Sequence, residues 1–199
     1  KTFLLFALLL NVVCALYFLF SRKNALRNTV TAIVLLVLLF TPFNDSLAFW
    51  KTNILYEGES LYNYLQVEET DDSVILSTNV AFGVQSIYKK DGSLSGYYYE
   101  YALMAPYFIK DMSPEKKLDV LVLGLGTGTY PKQLKKYIPN VTTDAVEIDA
   151  KIADLASKYF NLREDEAIVY INDGRSFFST PDAKQYDIIL ADAYQDITV

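Results

Sequence analysis

Residues 119–128, DVLVLGLGTG, decide how the C-terminal half of this 199-residue chain folds. The run 120–123 is continuously apolar, as is typical of a strand covered on both faces. Gly124, Gly126 and Gly128 follow, and a helical pattern continues to about residue 137. Glycine is needed there because the chain turns sharply and a ligand must approach bare backbone. The stretch therefore predicts a strand, a ligand-binding turn and a helix.

Acidic residues follow the next three predicted strands. The run 143–148 carries Glu147 near its end, 19 residues beyond Gly128, and a helical stretch, AKIADLASKYF, follows Asp149. The run 167–171 leads into Asp173-Gly174, and the run 186–191 leads into Asp192. Open α/β sheets bind ligands at the carboxyl ends of their strands. The pattern therefore predicts a Rossmann-like α/β domain with one site at this edge.

The chemistry of the predicted ligand follows from the turn. Its glycines lack the GxGxxG spacing of dinucleotide sites, and there is no GK[ST] phosphate loop. A nucleoside with an amino-acid-like tail fits better, which points to S-adenosylmethionine or a relative. We expect Glu147 to hold the ribose, Asp173 the adenine amino group, and the glycine turn the tail.

The middle of the chain predicts a small antiparallel β-domain after a linker at 45–60. Short alternating runs at 62–67, 74–78 and 84–88 are separated by charged or glycine-containing turns, as in a meander. Residues 97–101, YYYEY, then open an apolar helix that ends near residue 108. These tyrosines either pack against neighbouring elements or line a pocket.

Composition excludes several classes of function. The chain has no histidine and a single cysteine, so imidazole-based triads, zinc sites and internal disulfides are ruled out, and we expect no metal. The formal net charge is −6, without a basic stripe, which argues against nucleic acid as a partner.

The first 43 residues differ from the rest in charge and hydropathy. They hold four basic and no acidic side chains, and they include two uncharged stretches at about 2–20 and 28–43. We interpret these as two transmembrane helices in the cell (inner) membrane, with the lipid bilayer as a partner. A signal peptide or a buried helical hairpin are the alternatives. The basic loop between the stretches favours an extracytoplasmic soluble domain, whereas the function proposed below favours a cytoplasmic one.

From about residue 60 onward the sequence resembles the spermidine synthase (polyamine aminopropyltransferase) family. The similar motifs are SLYNYLQV at 60–67, GVQS at 83–86, YYE at 98–100, the glycine turn, VEID at 146–149 with KYF at 158–160, Asp173-Gly174 and Asp192. The first 43 residues resemble the end of the membrane module in the membrane-fused branch. On this basis we expect the chain to divide into 1–44, 45–110 and 111–199 and to lack the family's C-terminal part.

The resemblance implies a reaction and a set of site residues. The reaction transfers the aminopropyl group of decarboxylated S-adenosylmethionine, a co-substrate rather than a permanently bound cofactor, to putrescine or another small amine. Asp192 would be the catalytic base. The implied nucleoside-binding residues are Asn63, Gln85, Gly124, Gly126, Gly128, Glu147, Asp173 and Gly174. The implied amine-binding residues are Tyr98, Glu100, Tyr194 and Asp196, and a homodimer is left open.

The chain departs from the family pattern mainly at the amine site. Asn63 replaces a glutamine, Tyr99 replaces the histidine of Y-H-E, and Gln195 replaces the second acid of D-S-x-D. We therefore expect a retained nucleoside pocket with a changed or lost acceptor. The alternatives are an S-adenosylmethionine-dependent methyltransferase and a non-catalytic nucleoside-sensing module of a transporter-like protein.

Overall fold

The computed structural model describes residues 2–19, 25–40, 51–79, 83–179 and 184–193. The chain divides into two compact units, Lys1–Trp50 and Lys51–Val199. The first contains helices α1, Thr2–Leu19, and α2, Ala25–Phe40, which pack against each other.

The two predicted transmembrane helices are not supported. Among the residues that the structure describes, no helix combines the length and apolar character needed to cross a membrane. The 18 residues of α1 and the 16 of α2 extend for about 27 Å and about 24 Å at 1.5 Å per residue. The predicted localisation is untested and stays a prediction.

The second unit begins with a four-stranded antiparallel meander in the order β1-β2-β3-β4. Its strands are Ile54–Glu59, Tyr64–Glu69, Ser73–Thr78 and Val84–Lys89. The last three correspond to the predicted runs. Strand β1 was missed, because Gly58 and two glutamates made ILYEGE resemble a linker. It pairs with β2 along its length, with a register shift between Ile54 and Tyr56.

A parallel sheet follows, built from β5 (Leu118–Leu123), β6 (Val141–Glu147), β7 (Ile168–Ile171) and β8 (Ile188–Ala191). Its helices are α3 (Thr129–Tyr137), α4 (Ala150–Tyr159) and the short α5 (Gly174–Phe178), which the sequence pattern did not predict. The spatial order is β7-β6-β5-β8. Strands β6 and β7 are therefore added on one side of β5, and β8 is added on its other side.

Two apolar clusters hold these layers together. Leu118, Val120 and Val122 of β5 are almost fully buried, with Leu134 of α3 among their neighbours. A second cluster joins the antiparallel sheet to α4 through residues that include Leu65, Leu76, Leu155 and Phe160. Burying each such side chain contributes about 1.5–3 kcal/mol. This packing fixes the antiparallel sheet beside the carboxyl ends of the parallel strands.

The tyrosine-rich segment forms a 3-10 helix, Tyr98–Phe108, rather than the predicted ordinary helix. Pro106 lies inside it, and proline cannot donate the backbone hydrogen bond that an α-helix interior requires.

Candidate active site

The strand order explains where the site lies. The order in which strands are added to the sheet reverses between β5 and β8, which pair in parallel from Val120 with Ile188 to Leu123 with Ala191. Ligands of open α/β sheets bind in the crevice outside such a switch point. The glycine turn follows β5 and Asp192 follows β8, so the topology brings both to this crevice.

Gly124 and Asp192 touch through their backbones. Gly124 has a φ of +88°, and a Cβ at this position would lie 2.4 Å from the Asp192 carbonyl oxygen. Gly126 also has a positive φ, of +54°, but nothing lies within 4 Å of the place where its Cβ would be. The first glycine thus allows β8 to approach, whereas the second leaves open space above the turn.

Glu147 organises the glycine turn. One carboxylate oxygen accepts hydrogen bonds from the backbone N–H groups of Leu125 and Gly126 at 3.1 and 3.2 Å. The other oxygen accepts a hydrogen bond from the backbone N–H group of Asp149 at 3.0 Å. Burial raises the pKa of Glu147, and the three N–H donors oppose that rise. The residue predicted to hold a ribose therefore already fixes the turn beside it.

Asp173 and Gly174 lie where the sequence predicted, after β7. The Asp173 carboxylate caps α5 by accepting from the Ser176 backbone N–H at 2.9 Å, and this bond holds the pKa of Asp173 below its usual value. Both residues line the larger of the two cavities that form the site. Gly174 is not required sterically, since a Cβ would meet only the Leu123 side chain at 3.5 Å.

Asn63 lines the same cleft, but its amide is engaged within the protein. Its Nδ2 donates to Asp149 at 3.2 Å, and its Oδ1 accepts from Asn79 at 2.9 Å. Ser60 donates to the same Asp149 oxygen at 2.5 Å. Asn63 thus connects the antiparallel sheet to the start of α4, where Asp149 caps the helix through the Lys151 N–H.

Asp192 is held by a tyrosine. The hydroxyl of Tyr98 lies 2.9 and 3.0 Å from its two carboxylate oxygens. Burial raises the pKa of Asp192, and the hydrogen bond from Tyr98 opposes the rise. The predicted base and one predicted amine-site residue are therefore in direct contact.

Glu100 is placed differently from the prediction. Its two carboxylate oxygens accept from the backbone N–H groups of Ser95 and Gly96, both at 2.7 Å. It is buried and is not among the residues that line the two cavities. Sequence order could not reveal this, because the loop at 95–96 folds back onto the carboxylate. Tyr194 and Asp196 lie outside the described residues.

Two adjoining cavities form the site. The larger, of about 380 Å³, is bounded by the glycine turn, Glu147, Asp173 and Asn63. The smaller, of about 30 Å³, lies against Tyr99, Tyr130 and Thr129. Gln85, Gly124, Gly126 and Asp192 line both.

A chain of hydroxyl groups that the sequence analysis missed connects the glycine turn to strand β4. Ser86 on β4 lies 2.6 Å from Thr127, which lies 3.0 Å from Thr129, and Thr129 donates to the Ile87 carbonyl at 3.1 Å. Ser86, Thr127 and Thr129 are all buried. Thr127 lies within the GLGTG motif and Thr129 directly follows it. This motif was the sequence signal that could have revealed the two hydroxyl groups.

The fold and the cleft define a Rossmann-like α/β protein with an antiparallel sheet beside its parallel one. Within this class, residues 105–199 match the spermine/spermidine synthase domain, and this part of the chain belongs to that family. The resemblance inferred from the motifs is thereby confirmed.

Relatives and solved structures agree with this assignment. A probable polyamine aminopropyl transferase of Bifidobacterium longum is 44% identical over 92% of this chain and 40% of the relative. The polyamine aminopropyltransferase of Vibrio vulnificus is 29% identical over 83% of this chain and 56% of the relative. The fold is similar to that of a probable spermidine synthase from Corynebacterium glutamicum, with a TM-score of 0.57 and 21% identity over 73% of this chain and 54% of that one. The chain thus spans about half the length of these proteins.

Proposed function

We propose that this protein is an aminopropyltransferase that moves the aminopropyl group of decarboxylated S-adenosylmethionine to a small primary amine, with putrescine as the first acceptor to test. One observation carries the proposal: a partly buried carboxylate, Asp192, stands between a cleft of nucleoside size and a second, smaller cavity. A carboxylate at the boundary of two substrate sites can accept the proton that an attacking amine loses.

The nucleoside would occupy the larger cavity. Glu147 would accept hydrogen bonds from the ribose hydroxyls, and Asp173 would accept one from the adenine amino group, as the positions of both along the cleft wall allow. The open space above Gly126 would take the sulfonium end of the co-substrate. The ordered glycine turn lowers the entropy lost on binding, since Glu147 already holds it.

The chemical step is a displacement at carbon. The lone pair of the amine nitrogen forms a bond to the aminopropyl carbon next to the sulfonium, and the carbon–sulfur bond breaks. Its electron pair goes to sulfur, which leaves as neutral methylthioadenosine, and the nitrogen gives one proton to Asp192. An amine attacks only when it is neutral, and burial makes Asp192 a stronger base than an exposed carboxylate.

The test uses the full-length protein with decarboxylated or ordinary S-adenosylmethionine and a panel of amines. We expect amine-dependent release of methylthioadenosine from the decarboxylated compound, and Asp192→Asn serves as the inactive control. Release of S-adenosylhomocysteine from ordinary S-adenosylmethionine would instead identify a methyltransferase. Nucleoside binding without either product would identify a sensing module.

A further inference from the structure

The smaller cavity is lined by hydroxyl groups, among them those of Ser86, Tyr99, Thr129 and Tyr130. A hydroxyl has one hydrogen to donate and two lone pairs that accept. The group that receives this hydrogen therefore determines what the hydroxyl offers to a ligand. The inference drawn from this lining rests on the proposed function, because it concerns the substrates of that reaction.

The Ile87 carbonyl group sets the direction of the hydroxyl chain that begins at Ser86. A carbonyl oxygen only accepts, so the Thr129 hydroxyl gives its single hydrogen to this oxygen at 3.1 Å. The contact of 3.0 Å between Thr127 and Thr129 then uses the hydrogen of Thr127. Thr127 has no second hydrogen to give, so Ser86 donates to Thr127 across their contact of 2.6 Å. The Ser86 oxygen therefore meets the cavity as a hydrogen-bond acceptor.

The hydroxyls of Tyr99 and Tyr130 also donate to backbone carbonyl groups. Tyr99 donates to the Ile87 carbonyl oxygen at 3.3 Å, and it accepts from the Ile87 N–H group at 3.1 Å. Tyr130 donates to the Ala102 carbonyl oxygen through a longer contact of 3.5 Å. Both hydrogens, like that of Ser86, are thus directed to acceptors of the protein rather than to a ligand.

The backbone N–H groups of the glycine turn, which also borders this cavity, have partners within the protein. Gly124 donates to the Val146 carbonyl oxygen at 2.9 Å. Leu125 and Gly126 donate to the Glu147 carboxylate. These N–H groups are therefore engaged before any ligand binds.

The described part of the lining thus faces a ligand mainly with acceptors. They are the lone pairs of Ser86 and the carboxylate of Asp192, whereas the Gln85 amide carries both a donor and an acceptor. An ammonium group complements such a wall, because its N–H groups only donate and a carboxylate balances its charge. A ligand carboxylate or phosphate would instead meet acceptors and the negative charge of Asp192.

The volume of the cavity also fits an ammonium group. About 30 Å³ holds about two water molecules, since each needs about 10–15 Å³. An ammonium group is similar in size to a water molecule. It can therefore enter while the carbon chain that carries it stays in the larger cleft, which meets the cavity at Asp192 and Gln85.

We propose that Ser86 is a substrate-binding residue, whose oxygen accepts a hydrogen bond from a substrate ammonium group that enters the smaller cavity beside Asp192. Thr127 and Thr129 are positioning residues, because they take up the Ser86 hydrogen and keep its oxygen an acceptor. Both substrates of the proposed reaction carry such a group, namely the aminopropyl end of the co-substrate and the acceptor amine. The ligand chemistry is the same in both cases, and the experiment distinguishes the two sources.

The first arm of the experiment compares two unreactive ligands by calorimetry on the full-length protein. One is methylthioadenosine, and the other carries a 3-aminopropyl group in place of the methyl group on its neutral sulfur. The two ligands share the adenosine and differ in the ammonium group. If the ammonium of the co-substrate contacts Ser86, Ser86→Ala should bind the aminopropyl compound about tenfold more weakly, the scale of a hydrogen bond to a charged group. Its affinity for methylthioadenosine should stay unchanged.

The second arm measures putrescine binding to the protein saturated with methylthioadenosine. If the ammonium of the acceptor contacts Ser86, Ser86→Ala should weaken putrescine binding by a similar factor. Ser93→Ala removes an exposed hydroxyl and should leave the affinity for every ligand unchanged. A loss for either ammonium compound beyond that for methylthioadenosine supports the inference. Equal affinities in Ser86→Ala and the unmodified protein, or equal losses for all three ligands, would overturn it.

A pair of variants at Thr127 tests the positioning role. Thr127→Val replaces the hydroxyl with a methyl group, so the Ser86 hydrogen loses its acceptor and becomes free to turn into the cavity. We expect the ammonium compound that responds to Ser86→Ala to bind more weakly to this variant, relative to methylthioadenosine. Thr127→Ser retains the hydroxyl and should restore this relative affinity. Equal relative affinities in the two variants would contradict the positioning role.

The proposed function can fail separately, because the binding measurements need no turnover. If no amine releases methylthioadenosine but Ser86→Ala selectively weakens an ammonium compound, aminopropyl transfer is wrong and the ammonium subsite stands. If amines do release methylthioadenosine while Ser86→Ala changes all ligands equally or none, aminopropyl transfer stands and the ammonium subsite is wrong.

Discussion

The hydroxyl of Tyr98 lies 2.9 Å from one carboxylate oxygen of Asp192 and 3.0 Å from the other, across 94 residues of sequence. The contact joins the 3-10 helix to the end of β8. It fixes the direction of the carboxylate and stabilises its charged form, while burial acts in the opposite sense. The strength of Asp192 as a base therefore depends on a residue outside the parallel sheet.

Replacing Tyr98 with phenylalanine tests this dependence. The variant loses the donor that lowers the pKa of Asp192, whereas burial, which raises it, remains. The pKa therefore rises, and since only the ionised carboxylate accepts a proton, the acidic limb of the kcat/KM profile should move to higher pH. Tyr107→Phe, at an exposed position of the same 3-10 helix, should leave the limb unchanged. A limb that moves to lower pH in Tyr98→Phe would contradict the assignment.

Asp192→Asn should abolish turnover and leave nucleoside affinity within a few-fold of the original. The amide cannot accept the proton of the amine, but it retains the size of the side chain and the backbone contact with Gly124. Product release and equilibrium binding of methylthioadenosine, measured on the same preparation, separate the two effects. Activity close to that of the unmodified protein would show that another group accepts the proton.

Glu147→Gln should loosen the glycine turn and weaken nucleoside binding. A carboxylate accepts from the N–H groups on both of its sides, whereas an amide presents its NH₂ group to one of them. We expect a loss of about 1.5–3 kcal/mol in nucleoside affinity, the scale of a charge-assisted hydrogen bond. Hydrogen exchange at Leu125 and Gly126 should also become faster. Glu164→Gln, at an exposed site, is the control, and unchanged exchange in Glu147→Gln would contradict the structural role.

The two glycines of the turn should respond differently to alanine. Gly126→Ala adds a positive-φ penalty of about 1–2 kcal/mol, without a clash. Gly124→Ala adds a similar penalty and also forces the Asp192 backbone away, at a further cost of about 1–3 kcal/mol. Urea unfolding should therefore show the larger loss of stability for Gly124→Ala, and nucleoside binding should fall in Gly126→Ala. Equal losses of stability would mean that β8 can shift to accept the new methyl group.

The sequence predicted the parallel half well because its signals are local. The apolar runs that end in Glu147, Asp173 and Asp192 each form a strand whose end meets the same crevice. Strand β1 was missed because its glutamates and glycine are unfavourable locally, and its pairing with β2 offsets this. Glu100 was assigned to the amine site for a similar reason: its partners, Ser95 and Gly96, are brought to it by a loop that local pattern does not describe.

The sequence by itself determined the glycine turn, the acids that follow each parallel strand and the family to which residues 105–199 belong. These features lie within short stretches of consecutive residues, so spacing and hydropathy suffice to find them. Only the tertiary structure decided that Tyr98 holds Asp192, that Asn63 binds Asp149 and that a second, smaller cavity lies beside Asp192. Each of these depends on side chains from distant segments, and their distances are set by how the two sheets pack around α4 rather than by any local preference.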